Sequence, residues 1–452
     1  MAILESSQPS IPKAWRWPGI GNTFAMARDP ARFFVDCYRR HGPVFRIALM
    51  GRTHTVLAGA EAANFMATRE GRESLRSREF WQGLVDEFAA TRTLPGEDGQ
   101  MHARLRDVMK RGYSRTALSG RFGELIAITD SAIARDWTPG ARVPTVQAMQ
   151  YMVTEQLGRI LTGVAPLEYV RAIRTTIKYI LNVLVTRQRP WFYLLSPGYR
   201  RAKARMRELG ETLVNRQGDA ENTGGILVSD IMQAHAAEPE LIPRQDLGLT
   251  LMGPYIAGLD TVANTTAACL YLVLKHPEVL ARIQAETDRY FAEGIGAEED
   301  VFQRLPATHA AIQEAMRLYP IAVAQMRTAA RPFTFGGHRI AAGEMLFVAT
   351  SVPHFLEEHY PEPERFDIDR FSRERAEHLK SGVYSPYGRG PHTCLGKSLA
   401  EVQMLLTMAR LFHRLDLSLV RRDYVLKTKT APTPGPAMSF KVRVNGLRNP
   451  AA

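Results

Sequence analysis

The run Tyr387-Gly388-Arg389-Gly390-Pro391-His392-Thr393-Cys394-Leu395-Gly396 constrains this chain more than any other segment. It sets one thiol in a glycine-rich loop, two residues after a histidine and just ahead of a helical stretch. A helix N-terminus offers free N–H groups and positive partial charge, which favour an ionised sulfur. A basic neighbour acts in the same direction. Gly388, Gly390 and Gly396 let the backbone turn sharply and lie close to a flat ligand. The segment predicts a metal-binding thiolate; the plainer reading is a buried free cysteine beside a turn.

No convincing linker divides the 452 residues. The most linker-like stretch, 218–225, reads as a loop between two helices. We therefore expect one domain over 1–452, large enough to bury a cofactor. Helical patterns fill about 90–320 and 390–415, with breaks at Pro139-Gly140 and Pro197-Gly198. A helix over 28–41 precedes them. Strand patterns occupy about 44–58, as a hairpin around Met50-Gly51-Arg52, and then about 323–350 and 414–446. Helical bulk with segregated strands is an α+β fold, predominantly α-helical, with a smaller β-rich region.

Only Cys37, Cys269 and Cys394 are present, which argues against a disulfide framework and for a reducing compartment. Residues 1–21 hold no apolar run suited to a signal peptide or anchor. A cytoplasmic monomer without an integral membrane anchor is expected. The formal charge of +12 suggests acidic partners. Nucleic acid is not expected among them, because no compact basic motif or reader fold is visible.

Two further motifs lie on helices. Glu314 and Arg317 are spaced i, i+3, so they can pair on one helical face. Ala257-Gly258-Leu259-Asp260-Thr261 interrupts an apolar helix over about 247–275, where aspartate and glycine are unusual. Gly258 is expected to leave open space at the helix surface. Thr261 can bond back to a preceding carbonyl and bend the helix; a kink at Gly253-Pro254 is the plainer account. His102 and Arg106 are i, i+4 neighbours. Trp191-Phe192-Tyr193-Leu194-Leu195, followed by Arg200, Arg201, Lys203, Arg205 and Arg207, fits either a lid touching a membrane or a solvated basic helix beside an aromatic hinge.

Together these motifs resemble the cytochrome P450 family over about residues 28–440. The family's cysteine loop runs Phe-Gly-x-Gly-x-(Arg/His)-x-Cys-x-Gly. This chain departs at the first position, where Tyr387 keeps the aromatic packing and adds a hydroxyl needing a partner. The resemblance implies the cytochrome P450 fold, with Cys394 as the thiolate ligand of haem iron. It makes Glu314, Arg317 and Arg370 a buried charge network. Ala257, Gly258, Asp260 and Thr261 become an oxygen-binding groove, in which Thr261 holds a water or hydroperoxide and Asp260 feeds protons from solvent. His102, Arg106, Arg327 and His392 become cations for the haem propionates. Arg389, Lys397, Lys110, Arg111 and Arg115 would face an acidic electron-transfer protein.

The expected reaction is insertion of one oxygen atom from O2 into an apolar small molecule of the steroid, terpenoid, fatty-acid or polyketide class. Electrons would come from a ferredoxin or flavodoxin-type donor and its reductase. Candidate substrate contacts are Phe80, Trp81, Leu84, Ala257, Ile321, Val323, Ala324 and Thr433. Rival readings are a peroxide-using or peroxide-rearranging haem-thiolate enzyme and a non-catalytic haem or ligand-binding protein. Electron-coupled turnover separates both from a monooxygenase.

Overall fold

β-Branched and aromatic residues alternate on either side of Met50 and Gly51, and both of those residues take positive φ (47° and 77°). Val44–Leu49 and Arg52–Ala58 close into the expected antiparallel hairpin there. The structure is a computed structural model and describes residues 10–118, 120–215, 225–294 and 300–449. All of the expected 218–225 loop except Gly225 lies outside the described residues. The hairpin belongs to a five-stranded sheet ordered Val44–Leu49, Arg52–Ala58, Met345–Ala349, Gln325–Ala329 and Leu75–Arg76. Its one parallel pairing, Arg52–Ala58 with Met345–Ala349, joins distant parts of the chain. Phe34, Phe45, Val56 and Val348 are buried around it.

The helical side is organised by the 32-residue helix Arg244–Lys275. It packs against Thr145–Leu157, Pro306–Leu318 and Lys397–Arg414. One apolar cluster runs through these helices, from Leu105 to Val444. Arg244–Lys275 is long and apolar enough to cross a bilayer, yet 78% of its most apolar window is buried inside the protein, as in a core helix. Pro254 stays inside the continuous helix at the cost of one backbone hydrogen bond.

Three elements differ from expectation. Arg142–Pro144 is a strand inside the stretch read as helical, recruited by pairing with Lys441–Leu447. Leu75–Arg76 is a two-residue strand, too short to leave a pattern. Pro197-Gly198 starts the helix Pro197–Asn215 instead of breaking one, since proline suits a first helical turn.

Candidate functional site

The cysteine loop is shaped first by its own packing. Gly388 and Gly390 have φ of 71° and 74°. A Cβ on Gly388 would collide with the Gln325 amide, and one on Gly390 with the Met66 carbonyl. Protein neighbours alone therefore require glycine at both positions. Gly396 immediately precedes the helix Lys397–Arg414, and a Cβ there would lie 3.6 Å from the Tyr113 ring and 4.0 Å from Cys394 Sγ.

The Cys394 N–H donates to the Tyr387 carbonyl at 2.9 Å, which fixes the thiol's position. Cys394 is accessible, whereas Cys37 and Cys269 are buried. Even so, burial by the surrounding protein raises the Cys394 thiol, and the Gly396 N–H and Arg106 only partly offset it. A bound metal cation would favour the thiolate more strongly than either of these groups. The Tyr387 hydroxyl is buried with no hydrogen-bond partner among the described residues.

Beside the loop, Asp98 sits just before the helix Gly99–Lys110 but does not cap it. Its carboxylate accepts from the Ser77 N–H at 3.0 Å and contacts His392 Nε2 at 2.9 Å. The His392 and His102 rings lie 4.2 Å apart. His102 is pushed down to about 4, by burial first and then by His392 and Arg106. The protein around His102 thus disfavours its charged form, which runs against its expected role as a cation. Arg327 is 8% exposed and donates to the Met326 carbonyl at 2.7 Å and Gln325 Oε1 at 2.9 Å. Burial pushes it down to about 10. Arg106 is half-buried. Among the described residues no carboxylate lies within ion-pair distance of Arg106 or Arg327, although Asp98 acts electrostatically on Arg327 from farther off, so two desolvated cations lack a directly paired anion among those residues. A dianionic porphyrin with an axial sulfur site fits that deficit.

On the Arg244–Lys275 helix, the Thr261 hydroxyl donates back to the Ala257 carbonyl at 2.9 Å, the predicted bend-forming bond. Ala257 is exposed in the middle of this buried helix. Gly258 corrects the expectation: its Cβ would stand 2.7 Å from Leu157, so glycine there allows two helices to pack and opens no space. Asp260 also differs. It is 3% exposed and accepts a 2.7 Å hydrogen bond from Gln150, so it is largely withdrawn from solvent. Asp260 also interacts electrostatically with Lys429, whose pKa burial lowers.

The charge network assembles in full. Arg317 bonds Glu314 at 2.7 and 2.8 Å, and Arg370 lies 3.3 Å from Glu314. Arg370 also pairs with Glu377 at 3.0 Å, and Arg317 stacks 4.8 Å over the Tyr360 ring. Glu377 and Tyr360 left no signal in the sequence, since their contacts depend on loop geometry.

Among the apolar candidates, Trp81 and Leu84 cluster with Ile256, Leu249 and Met326, which sequence reasoning missed. Phe80 is buried and Ile321 partly buried. Val323 and Ala324 instead pack with Phe34 and Phe45 beside the sheet, so Val323 is core. Thr433 is 6% exposed, next to the Pro434 carbonyl that accepts from Asn264 on the long helix. Of the expected basic face, Lys110 pairs with Asp107, Arg111 with Asp230, and Arg115 and Lys397 both with Glu401. Arg389 is held by Ser385 and Asn64. Much of that charge is already balanced.

Comparison with known proteins agrees with this geometry. A profile of the cytochrome P450 family matches residues 9–438. The chain is 27% identical over 417 residues to cyclooctat-9-en-7-ol 5-monooxygenase of Streptomyces melanosporofaciens, covering 88% of this chain and 87% of that one. It is 23% identical to abscisic acid 8'-hydroxylase 1 of Oryza sativa subsp. japonica, covering 97% and 90%. The structure of a retinoic acid bound cyanobacterial CYP120A1 superposes with a TM-score of 0.83 at 21% identity, over 97% of this chain and 99% of that one. With the family profile covering nearly all of the sequence, the chain belongs to the cytochrome P450 family and is a haem-thiolate monooxygenase.

Proposed function

We propose that this single-domain cytochrome P450 oxygenates an apolar small molecule of the steroid, terpenoid, fatty-acid or polyketide class. A ferredoxin or flavodoxin-type protein with its reductase supplies the electrons. The observation that carries the reading is the exposed Ala257 beside Thr261 on an otherwise buried helix, next to the apolar set Trp81, Leu84, Ile256 and Met326. Such a wall selects substrate largely by shape. Cyclooctat-9-en-7-ol, abscisic acid and the bound retinoic acid in the relatives' names are small carbon-rich molecules, which supports the class.

Cys394 would supply the thiolate that holds the haem iron. Arg106 and Arg327, with His102 and His392, would hold the porphyrin carboxylates. The haem, when bound, supplies the one-electron and oxygen-activating chemistry. Thr261 donates its own proton to the Ala257 carbonyl, so its oxygen lone pairs are free to accept from a water or other O–H donor at the groove. Gln150 donates to Asp260 Oδ1 at 2.7 Å and so orients the carboxylate, leaving its other oxygen to carry a proton.

The test is Thr261→Ala, assayed with a substrate found by spectral binding. Product formed per electron pair should fall about tenfold, corresponding to about 1.4 kcal/mol. Unchanged turnover and coupling would remove the proton-handling role from Thr261.

A further inference from the structure

The helix Lys397–Arg414 leaves directly from the cysteine loop, and its second turn carries Glu401, seven residues after Cys394. The Glu401 side chain is 13% exposed. Its ion-pair neighbours are Arg115 at 3.7 Å and Lys397, one turn earlier, at 4.0 Å. Both distances are long beside the roughly 2.8 Å of a charge-assisted hydrogen bond. Arg115 also lies 4.7 Å over the Phe302 ring and Lys397 5.5 Å over the Tyr387 ring. Their side chains are 63% and 51% exposed. A withdrawn carboxylate is thus balanced only loosely, by two cations that face water.

The same carboxylate acts on the sulfur. Lys397 joins it to the Tyr387 ring, and the Tyr387 carbonyl accepts from the Cys394 N–H at 2.9 Å. The Glu401 charge opposes ionisation of Cys394 and also of Tyr387 and Tyr384, whereas Arg106 and Lys397 favour the Cys394 anion. Charges withdrawn from water are screened far less than charges in it. Glu401 therefore reaches Cys394 with less loss than Lys397 or Arg115 does. A purely structural clamp on the start of the helix would call for closer bonds than these.

We propose that Glu401 acts through Cys394 as a positioning residue for electron uptake, its buried negative charge lowering the reduction potential of the bound haem while Arg115 and Lys397 partly offset it. This rests on Cys394 as the haem ligand. Uptake of one electron from the donor protein forms and breaks no bond. It adds negative charge beside the thiolate, which a nearby carboxylate opposes and nearby cations favour. Arg115 and Lys397 belong to the basic face expected to meet that donor, so docking and potential share the same two counterions.

The test is a spectroelectrochemical titration of the haem-loaded, substrate-free full chain, in low-salt and slightly alkaline buffer that keeps Glu401 ionised. Glu401→Gln removes the charge and nearly keeps the shape. It should raise the ratio of reduced to oxidised haem about tenfold at a fixed potential, an upward shift of about 59 mV for one electron. Glu401→Asp keeps the charge and should stay near the unaltered protein. Lys397→Gln should shift the potential downward and by less, and added salt should shrink that smaller shift further.

Haem content and the carbon monoxide band of each variant report separately on folding and on the Cys394 bond. A missing band in the unaltered protein removes the ligation reading. An intact band with an unchanged potential in Glu401→Gln overturns this proposal alone. An equal upward shift in Glu401→Asp overturns it too, since shape and not charge would then be responsible. Shifts of the same sign in Glu401→Gln and Lys397→Gln do likewise, because opposite charges must act oppositely. If Glu401→Gln does not retain haem, Lys397→Gln and Arg115→Gln decide the matter, and failure of both to lower the potential overturns the proposal.

Discussion

Arg317 and Arg370 in one region of the molecule, and Arg327 and Arg106 in another, are all drawn away from solvent, but their charges are treated oppositely. The first pair is fully buried and paired with Glu314 and Glu377, with the His354, Arg365 and Glu362 carbonyls and the Tyr360 ring as further contacts. The second pair has no carboxylate within ion-pair distance among the described residues; Arg327 donates to the Met326 carbonyl and the Gln325 amide oxygen and feels Asp98 only from farther off. A buried charge is costly unless paired, so the first arrangement is complete as built and the second is complete only with an anionic ligand. Partner satisfaction thus separates scaffold arginines from ligand arginines where residue type and burial do not.

The comparison is broken most forcefully by Glu314→Ala. Two buried guanidinium groups would lose their shared carboxylate, and stability should fall by about 3–5 kcal/mol in denaturant unfolding of the haem-loaded protein. A loss below about 1 kcal/mol would show the pair to be effectively solvated.

Acid tests both regions at once. His354, which accepts from the Ser385 N–H and whose own carbonyl accepts from Arg317, is pushed down to about 3 by burial. His102 in the second region is pushed down to about 4. Both folded values lie below the ordinary 6.5, so the unfolded chain takes up protons first. Their contribution is intact above 6.5 and is lost as the pH falls toward about 4 and about 3 respectively. By pH of about 5 each should have cost about 2 kcal/mol. His102→Gln should flatten that decline by about half, measured as unfolding free energy against pH; an unaltered slope would mean that His102 does not titrate this way.

Arg106→Ala sharpens the other side. Removing one charged hydrogen-bonding group should weaken haem retention by about 1.5–3 kcal/mol, read as the rate of haem transfer to apomyoglobin. The stability of the haem-free protein should barely change, because Arg106 has no carboxylate partner to abandon. A large loss in the haem-free protein would place Arg106 with the scaffold arginines.

What could be read from the sequence follows the range of each interaction. The turn of the cysteine loop, the i, i+3 pairing of Glu314 with Arg317 and the back-bond of Thr261 are local, so spacing alone announces them. Arg370 came from family resemblance, and Glu377, which completes it, was invisible. Gln150 reaching Asp260 and Asp98 holding His392 are made by segments far apart in the chain. Asp98 even occupies a capping position in the sequence while its side chain turns elsewhere. Gly258 was misread for the same reason, since only the opposing Leu157 explains it. The parallel pairing of Arg52–Ala58 with Met345–Ala349 likewise has no local signal.

The central claim is that Cys394 is the axial ligand, and carbon monoxide spectroscopy tests it most directly. The reduced haem-loaded protein exposed to carbon monoxide should show the strongly red-shifted Soret band of a thiolate-ligated haem, and Cys394→Ala should abolish that band. Its absence from fully loaded protein, or its survival in Cys394→Ala, would contradict the account.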